Sequence, residues 1–493
     1  MGLALLVPIL APLAAAAFAA AVGWRRLSSY VTVLAAFAVL ATGVVLAVGL
    51  AAGLDSGVVH GAGSLLRADA LSVTMLLVIG TVGTLATWAS VGYIDAELEH
   101  DHTDATGARL YGVLMPLFLA AMALAVLATS IGVMWVAIEA TTVATAFLVG
   151  HRRTRAAVEA TWKYVIICSV GIALALLGTV LLYFVSIHAG AVSGDALDID
   201  VLLAHASELD PAVTRLAAGL LLLGYGTKAG LVPFHTWLAD AHSQAPAPVS
   251  ALMSGVLLSV AFSALLRVKS IIDLALGTGF LRAGLLVVGI ATLLVAACLL
   301  FVQTDFKRML AYSSMENMGI VAIAAAAGTE LAIAALLLHV LAHGVAKALV
   351  FLAAGQLQAA HDSTAIRDVT GVLTRSPLIG TAFAVGLAVL IGLPPFAMFA
   401  SELSISRALA QAGLGWVLGA MLLLIVVAFA ALVRNGSRML LGPPDPGSPA
   451  IAVPRSVAGA LVAGVVLSLV LGVTAGPLTD LFRSAATLLG ASS

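Results

Sequence analysis

Three basic residues recur at i, i+4 and i+8 in the stretch LLLHVLAHGVAKALVFL: His339, His343 and Lys347. On a helix that spacing carries all three along one face. Imidazole titrates near neutral pH, and a buried ammonium can be brought down toward it. Such a stripe could pass protons along about 12 Å of helix, at 1.5 Å rise per residue. Paired histidines also bind metals, but no acidic or cysteine ligand adjoins these in the sequence. Structural hydrogen bonding is the plainer alternative.

Other ionisable residues also interrupt apolar runs. Lys228 ends an apolar stretch that breaks at Gly230 and Pro233, and His235, Asp240 and His242 follow the break. Glu139 lies in MWVAIEATT, Glu316 in AYSSMENMG, and Glu402 follows a second break in PPFAMFASEL. In a bilayer each such charge costs at least about 2.5–3.5 kcal/mol unless paired or hydrated. Glu139 and Lys228 are a natural pair: side by side each would stabilise the charged form of the other, and protonation nearby would shift both. A static ion pair fixing helix packing is the alternative. Glu316 and Glu402 have no basic neighbour in sequence, so they must find partners in space or carry protons. His235, Asp240 and His242 could link Lys228 to water, unless they simply snorkel. Lys307 and Arg308 read as boundary anchors, and Lys163 as a helix-end residue with a possible part in coupling its helix to the preceding one. Strung out in this way, the groups suit lateral proton movement better than one compact solute pocket.

The elements that must hold these residues are membrane helices. The chain has 493 residues, 62% hydrophobic and 10% charged, against about 25% charged in an ordinary soluble domain. The net charge of −1 suggests no nucleic-acid partner. Cys168 and Cys298 sit in apolar runs and read as small core residues, with neither metal spacing nor a disulfide framework. A basic region ahead of the first apolar run is missing, so that run reads as a span rather than a cleaved signal. Spans of roughly 20 apolar residues give about 14 helices: 2–22, 30–52, 69–93, 111–128, 130–150, 161–186, 213–242 (broken), 247–267, 281–303, 306–327, 331–357, 377–412 (broken), 414–434 and 454–474. The larger share of loop lysine and arginine, including Arg25, Arg26, Arg152, Arg153, Arg155 and Arg308, falls on one side. That side should be cytoplasmic, with both termini outside. The acidic stretch Asp95–Asp104 falls on the inner side against this trend. GLVPFH at 230–235 is echoed by GLPPFA at 392–397. Two interrupted helices in corresponding halves point to a transport site, and inverted repeats of helices 4–8 and 9–13 would produce them. The chain then divides into 1–109 (helices 1–3), 110–269 and 270–435 (the repeats), and 436–493 (helix 14).

The segments WVAIEA, KAGLVPFHTWLADAHSQAPAPVSAL, DFKRMLAYSSMENMG, LAHGVAKALVFLAAG and GLPPFAMFASE resemble the antiporter-like proton-translocating subunits of complex I, multisubunit cation/proton antiporters and membrane-bound hydrogenases. The resemblance covers roughly 110–435. It implies an all-α integral membrane fold of 14 helices with inverted repeats and broken helices 7 and 12. It assigns Glu139 and Lys228 to an input half-channel, Lys347 to the basic position of helix 11 and Glu402 to the exit; His343 stands where relatives often have histidine. Many relatives carry a base in helix 8, where Ser254 and Ser259 stand here. That departure resembles most the F-type subunit of hydrogenase-4 and formate hydrogenlyase complexes. The chain ends soon after helix 14, without the long lateral helix of the largest complex I subunit. No cysteine, haem or nucleotide motif marks a cofactor, so redox chemistry would belong to hydrogenase-like and iron–sulfur partner subunits in a bacterial or archaeal cell membrane. The alternatives are a D-type subunit of a sodium/proton antiporter, or a structural anchor whose channel is lost.

Overall fold

The computed structural model describes residues 2–53, 57–443, 451–474 and 476–491. Helices dominate it. In chain order they are α1 (Val7–Val22), α2 (Arg26–Ala51), α3 (Ala70–Glu99), α4 (Ala105–Leu127), α5 (Ile131–Val149), α6 (Arg155–His188), α7 (Ile199–Ala204), α8 (Pro211–Lys228), α9 (Trp237–Gln244) and α10 (Ala247–Leu252). There follow α11 (Leu258–Leu276), α12 (Gly279–Phe301), α13 (Phe306–Ala327), α14 (Glu330–His361), α15 (Val372–Arg375), α16 (Pro377–Leu390), α17 (Ala397–Gln411), α18 (Gly415–Leu441), α19 (Arg455–Thr474) and α20 (Gly476–Leu488). A hairpin of β1 (Val58–Gly61) and β2 (Leu66–Asp69) precedes α3 and pairs Val59 with Ala68.

Side-chain caps explain several starts. Asp69, Asp104, Thr154, Asp305 and Thr329 each accept a hydrogen bond from a backbone N–H of the first turn of α3, α4, α6, α13 and α14, satisfying a donor the helix cannot pair internally. Among the described residues 11 helices are long and apolar enough to cross a membrane, α10 and α11 counting as one. The remaining expected spans coincide with α13 and with the interrupted pairs α8/α9 and α16/α17. α3 reaches Glu99, so Asp95, Glu97 and Glu99 belong to a helix end and not to a loop. The amphipathic α20 was not among the expected elements; it packs Leu481, Phe482 and Ala485 inward.

Burial sorts the helices. α3, α10–α11, α13 and α14 are enclosed, and α14 touches α3, α10, α13, α16, α17, α19 and α20. α2, α6, α12 and α18 turn large apolar residues outward, among them Phe37, Val48, Trp162, Phe184, Val287 and Val426. An apolar surface of this extent suits lipid, not water. Cys298 lies on that outward surface, contrary to the core position expected for it, while Cys168 is buried.

The two breaks share one hydrogen-bond pattern. Leu231 N donates to Gly226 O at 2.8 Å and Leu393 N to Ala388 O at 3.0 Å; Gly230 N reaches Thr227 O at 3.1 Å and Gly392 N reaches Val389 O at 3.0 Å. Gly230 and Gly392 have φ of 78° and 65°, left-handed values that glycine adopts without penalty. Both helices therefore stop by the same C-terminal motif, and it aligns Lys228 with Leu390. Where α10 leads toward α11, Met253–Leu257 form one π-helical turn. There Gly255 crosses α14 at Gly344 so closely that a Cβ would stand 2.9 Å from the Gly344 carbonyl oxygen. Small residues at helix crossings permit such backbone approach.

Candidate functional site

Lys228 is fully buried at the end of α8. Its Nζ donates to Thr142 Oγ1 at 2.8 Å and to Tyr164 OH at 2.6 Å. Tyr164 OH meets Thr145 Oγ1 at 2.5 Å, and its ring lies 5.0 Å from that of Trp237. The Trp237 indole N–H donates to Thr227 O at 3.0 Å, a carbonyl that also accepts from Gly230 N within the break. Glu139, one turn before Thr142 on α5, interacts with Lys228 through space. Among the described residues it makes no ion-pair contact, and its Oε2 has no hydrogen-bond partner. The expected Glu139–Lys228 pair is thus replaced by hydroxyl ligands on Lys228, with the carboxylate at longer range.

The second group surrounds α14. Lys347 Nζ donates to Leu310 O at 2.8 Å and to Ser313 Oγ at 2.5 Å. His339 is held between Asn317 Oδ1 at 2.9 Å from Nε2 and Ser401 Oγ at 3.0 Å from Nδ1. His343 is buried with Nε2 unpartnered. Glu316, 4% exposed, has an unpartnered Oε2 and interacts through space with Glu402 and Lys347. Glu402 packs its carboxylate against Gly392, occupying the place a Cβ there would take. So α13 supplies Ser313, Glu316 and Asn317, α14 supplies the bases, and the residues after the second break supply Ser401 and Glu402.

His242 lies between the two groups. It is fully buried, its ring packs edge-on to Trp237 and Phe351, and neither nitrogen bonds to a protein group. It interacts electrostatically with Lys347 and Lys307, and His343 with Lys347, His339 and His242. This burial rules out the snorkelling alternative for His242. His235 is half-buried with Nδ1 unpartnered. Asp240 takes Lys163 at 3.2 Å and also Arg308, joining α6, α9 and α13. Lys163 is exposed and also pairs with Glu159 at 2.6 Å. Lys307 is 1% exposed and donates to Ala245 O at 2.9 Å, a carbonyl that Ser250 Oγ also reaches at 3.3 Å; buried in this way, it is no boundary anchor. Ser254 meets Ser314 Oγ at 2.6 Å, while Ser259 Oγ has no partner.

Sequence reasoning missed Thr142, Thr145, Tyr164, Ser313, Ser314, Asn317 and Ser401. Hydroxyl residues in membrane helices often bond their own helix carbonyls, so only three-dimensional neighbours distinguish these.

Residues 128–428 match the family described as NADH:quinone oxidoreductase/Mrp antiporter, TM. The chain belongs to this family. This antiporter-like subunit is 38% identical over 389 residues to the hydrogenase-4 component F homolog of Methylacidiphilum infernorum (isolate V4), covering 78% of the chain and 80% of that relative. Its fold is similar to that of a chain in the archaeal membrane-bound sulfane sulfur reductase (TM-score 0.87, 23% identity, 99% of this chain and 98% of that one). It is also similar to a chain of the Mrp complex from Dietzia sp. DQ12-45-1b (TM-score 0.83, 22% identity, 99% and 98%). The antiporter-like subunit is a multi-span integral membrane protein, related to components of multisubunit membrane complexes.

Proposed function

We propose that the chain is the proton-translocating membrane subunit of a redox-driven, hydrogenase-4-like assembly. The observation that carries this reading is the series of buried ionisable and hydroxyl groups that includes Lys228 with Thr142 and Tyr164, His242 on the far side of the Trp237 ring, and His343, Lys347, His339 and Glu402 around α14. Buried charges that are held by hydroxyls and carbonyls rather than by opposite charges keep a proton movable, because no tight ion pair has to be broken to shift it. In this scheme Glu139 biases the charge on Lys228 at range. Protons enter near His235 and His242, pass along His343, Lys347 and His339 with Glu316 beside them, and leave near Glu402. The Ser254–Ser314 hydroxyl pair takes the place of the helix 8 base. The repeats run over 110–269 and 270–435 with 1–109 and 436–493 flanking them. The protein lies in the cell membrane with both termini outside, and its partners hold the hydrogenase-like and iron–sulfur centres.

A second reading, a subunit of a sodium/proton antiporter, draws support from the Mrp likeness in fold. Gentle-detergent purification of the tagged chain with mass spectrometry separates the two. Co-purifying hydrogenase-like and iron–sulfur subunits are expected; small antiporter subunits in their place would overturn the redox-coupled reading.

A further inference from the structure

At the arginine-rich end of the molecule a polar chamber meets an apolar groove, and neither holds a residue of the proposed path. The groove, about 380 Å³, runs over α4, the last turn of α5 and the first turns of α6. Leu110, Phe147, Val158 and Trp162 line it and are left exposed, from 40% at Leu110 to 63% at Trp162. The chamber, about 300 Å³, is lined by Asp101, His102, Asp104 and Arg152. His151 and Arg153 line both spaces, so the two meet at these side chains. His151 is 9% exposed, its ring stands edge-on to Tyr111 at 5.5 Å, and its enclosed Nε2 bonds to no protein group. Arg153 has a φ of 53°, in the left-handed region that non-glycine residues rarely take. Its ionic neighbour is Asp104 at 3.9 Å, too long for a hydrogen bond, and its side chain stays 65% exposed. Arg152, by contrast, is bound to Glu97. Asp101 forms no ion pair among the described residues.

A buried imidazole nitrogen without a partner costs stability, and packing against Tyr111 does not satisfy it. The groove and the chamber divide as a phospholipid divides. Apolar walls stand beside the exposed Trp162 indole, a side chain that favours the headgroup level of a bilayer, and charged walls stand beyond. Both signs of charge line the chamber. A purely anionic headgroup would meet the Asp101 and Asp104 carboxylates, and a quaternary ammonium has no N–H to give them. A phosphate joined to a primary ammonium matches both signs, with charge-assisted hydrogen bonds at each end. We propose that this is a binding site for one aminophospholipid of the phosphatidylethanolamine type: phosphate on Arg153 and His151, ammonium on Asp101 and Asp104, and an acyl chain along Leu110, Phe147 and Trp162. Binding is non-covalent and moves no proton. Seated there, the lipid ties together the ends of α4, α5 and α6, and α5 is the helix that brings Thr142 to Lys228. The site stands whether or not the chain translocates protons.

The test uses the complete complex, delipidated in mild detergent and titrated with palmitoyl-oleoyl phosphatidylethanolamine, phosphatidylglycerol or phosphatidylcholine. Lipid retained on the full-length chain is read by native mass spectrometry. One ethanolamine lipid per chain is expected to stay bound in preference to the other two. Arg153→Gln should weaken its retention about tenfold or more, the scale of one lost hydrogen bond to a charged group. Leu110→Trp fills the groove from its exposed rim, leaves the headgroup residues in place and should also weaken retention. If Arg153→Gln does not assemble, Leu110→Trp decides. Equal retention of the three lipids, or equal retention by wild type and variants, marks ordinary annular lipid and overturns the proposal. Inorganic phosphate is the competing probe: if it displaces the lipid while Leu110→Trp changes nothing, the chamber is a free-anion site and the lipid proposal fails. Cross-linking of Phe147→Cys to another subunit, with no lipid retained, assigns the groove to a protein partner and overturns it as well.

Discussion

The two helix breaks end on the same backbone motif, yet a lysine stands just before only the first. At the first, Lys228 is the last residue of α8 and turns back toward α5 and α6, where Thr142 and Tyr164 hold its ammonium. At the second, the aligned position is Leu390, and the charged group comes after the break: the Glu402 carboxylate, seated on Gly392. The base of this half, Lys347, sits on α14 and is held by Leu310 O and Ser313. An acidic residue stands ten positions after each glycine, but Asp240 is paired with Lys163 and Arg308, whereas Glu402 makes no ion pair among the described residues. A shared backbone motif leaves the charges around it free to differ, as the proposed path requires of its entrance and its exit.

Several substitutions would break or sharpen this contrast. The largest effect is expected from Lys347→Met, which removes the charge bonded to Ser313 and to the Leu310 carbonyl. The Ser313 and Ser314 hydroxyls still donate to that carbonyl at 2.9 and 3.2 Å, so assembly should survive while pumping is lost. Reconstituted complex, assayed for acidification per electron, checks it. Next come the glycines. Gly392→Ala puts a Cβ into the Glu402 carboxylate, whereas Gly230→Ala meets only the flexible end of Leu238. Both carry the left-handed backbone penalty of about 1–2 kcal/mol. Equal losses of thermal stability are therefore expected, but a greater loss of pumping for Gly392→Ala; equal pumping in the two would remove Glu402 from the account. Ser254→Ala opens the hydroxyl pair with Ser314 and should slow pumping without abolishing it, and Ser254→His should restore the rate. Tyr164→Phe keeps the ring against Trp237 and removes one of the two side-chain ligands of Lys228. The smallest loss of rate is expected here, because Thr142 still holds the ammonium, and it is read from the same assay.

The fold was legible in the sequence because apolar length and Gly/Pro breaks are direct consequences of solvation by lipid. The ionisable residues were legible for the same reason, since each is an expensive departure from leucine. Their partners were not. Glu139 and Lys228 suggested a pair by charge alone, but reach decided otherwise: Thr142 and Tyr164 are nearer the ammonium. Lys307 looked like an interfacial anchor because it starts a helix; only the fold shows the Ala245 carbonyl it satisfies. Asp95–Asp104 looked like an acidic loop because charge masked the continuation of α3, whose last turns bury Glu97 against Arg152. Asn317 and Ser401, which clamp His339, carry no signal in sequence, because nothing in spacing reveals which face of α13 or α17 meets α14.

The central claim is that Lys228 moves protons and does not merely hold helices together. The direct measurement is the number of protons translocated per electron by the intact complex with Lys228→Met, beside wild type. Assembly and electron transfer retained with proton translocation lost is the result expected. An unchanged proton-to-electron ratio would contradict the account, because the path would then run without the residue at its head.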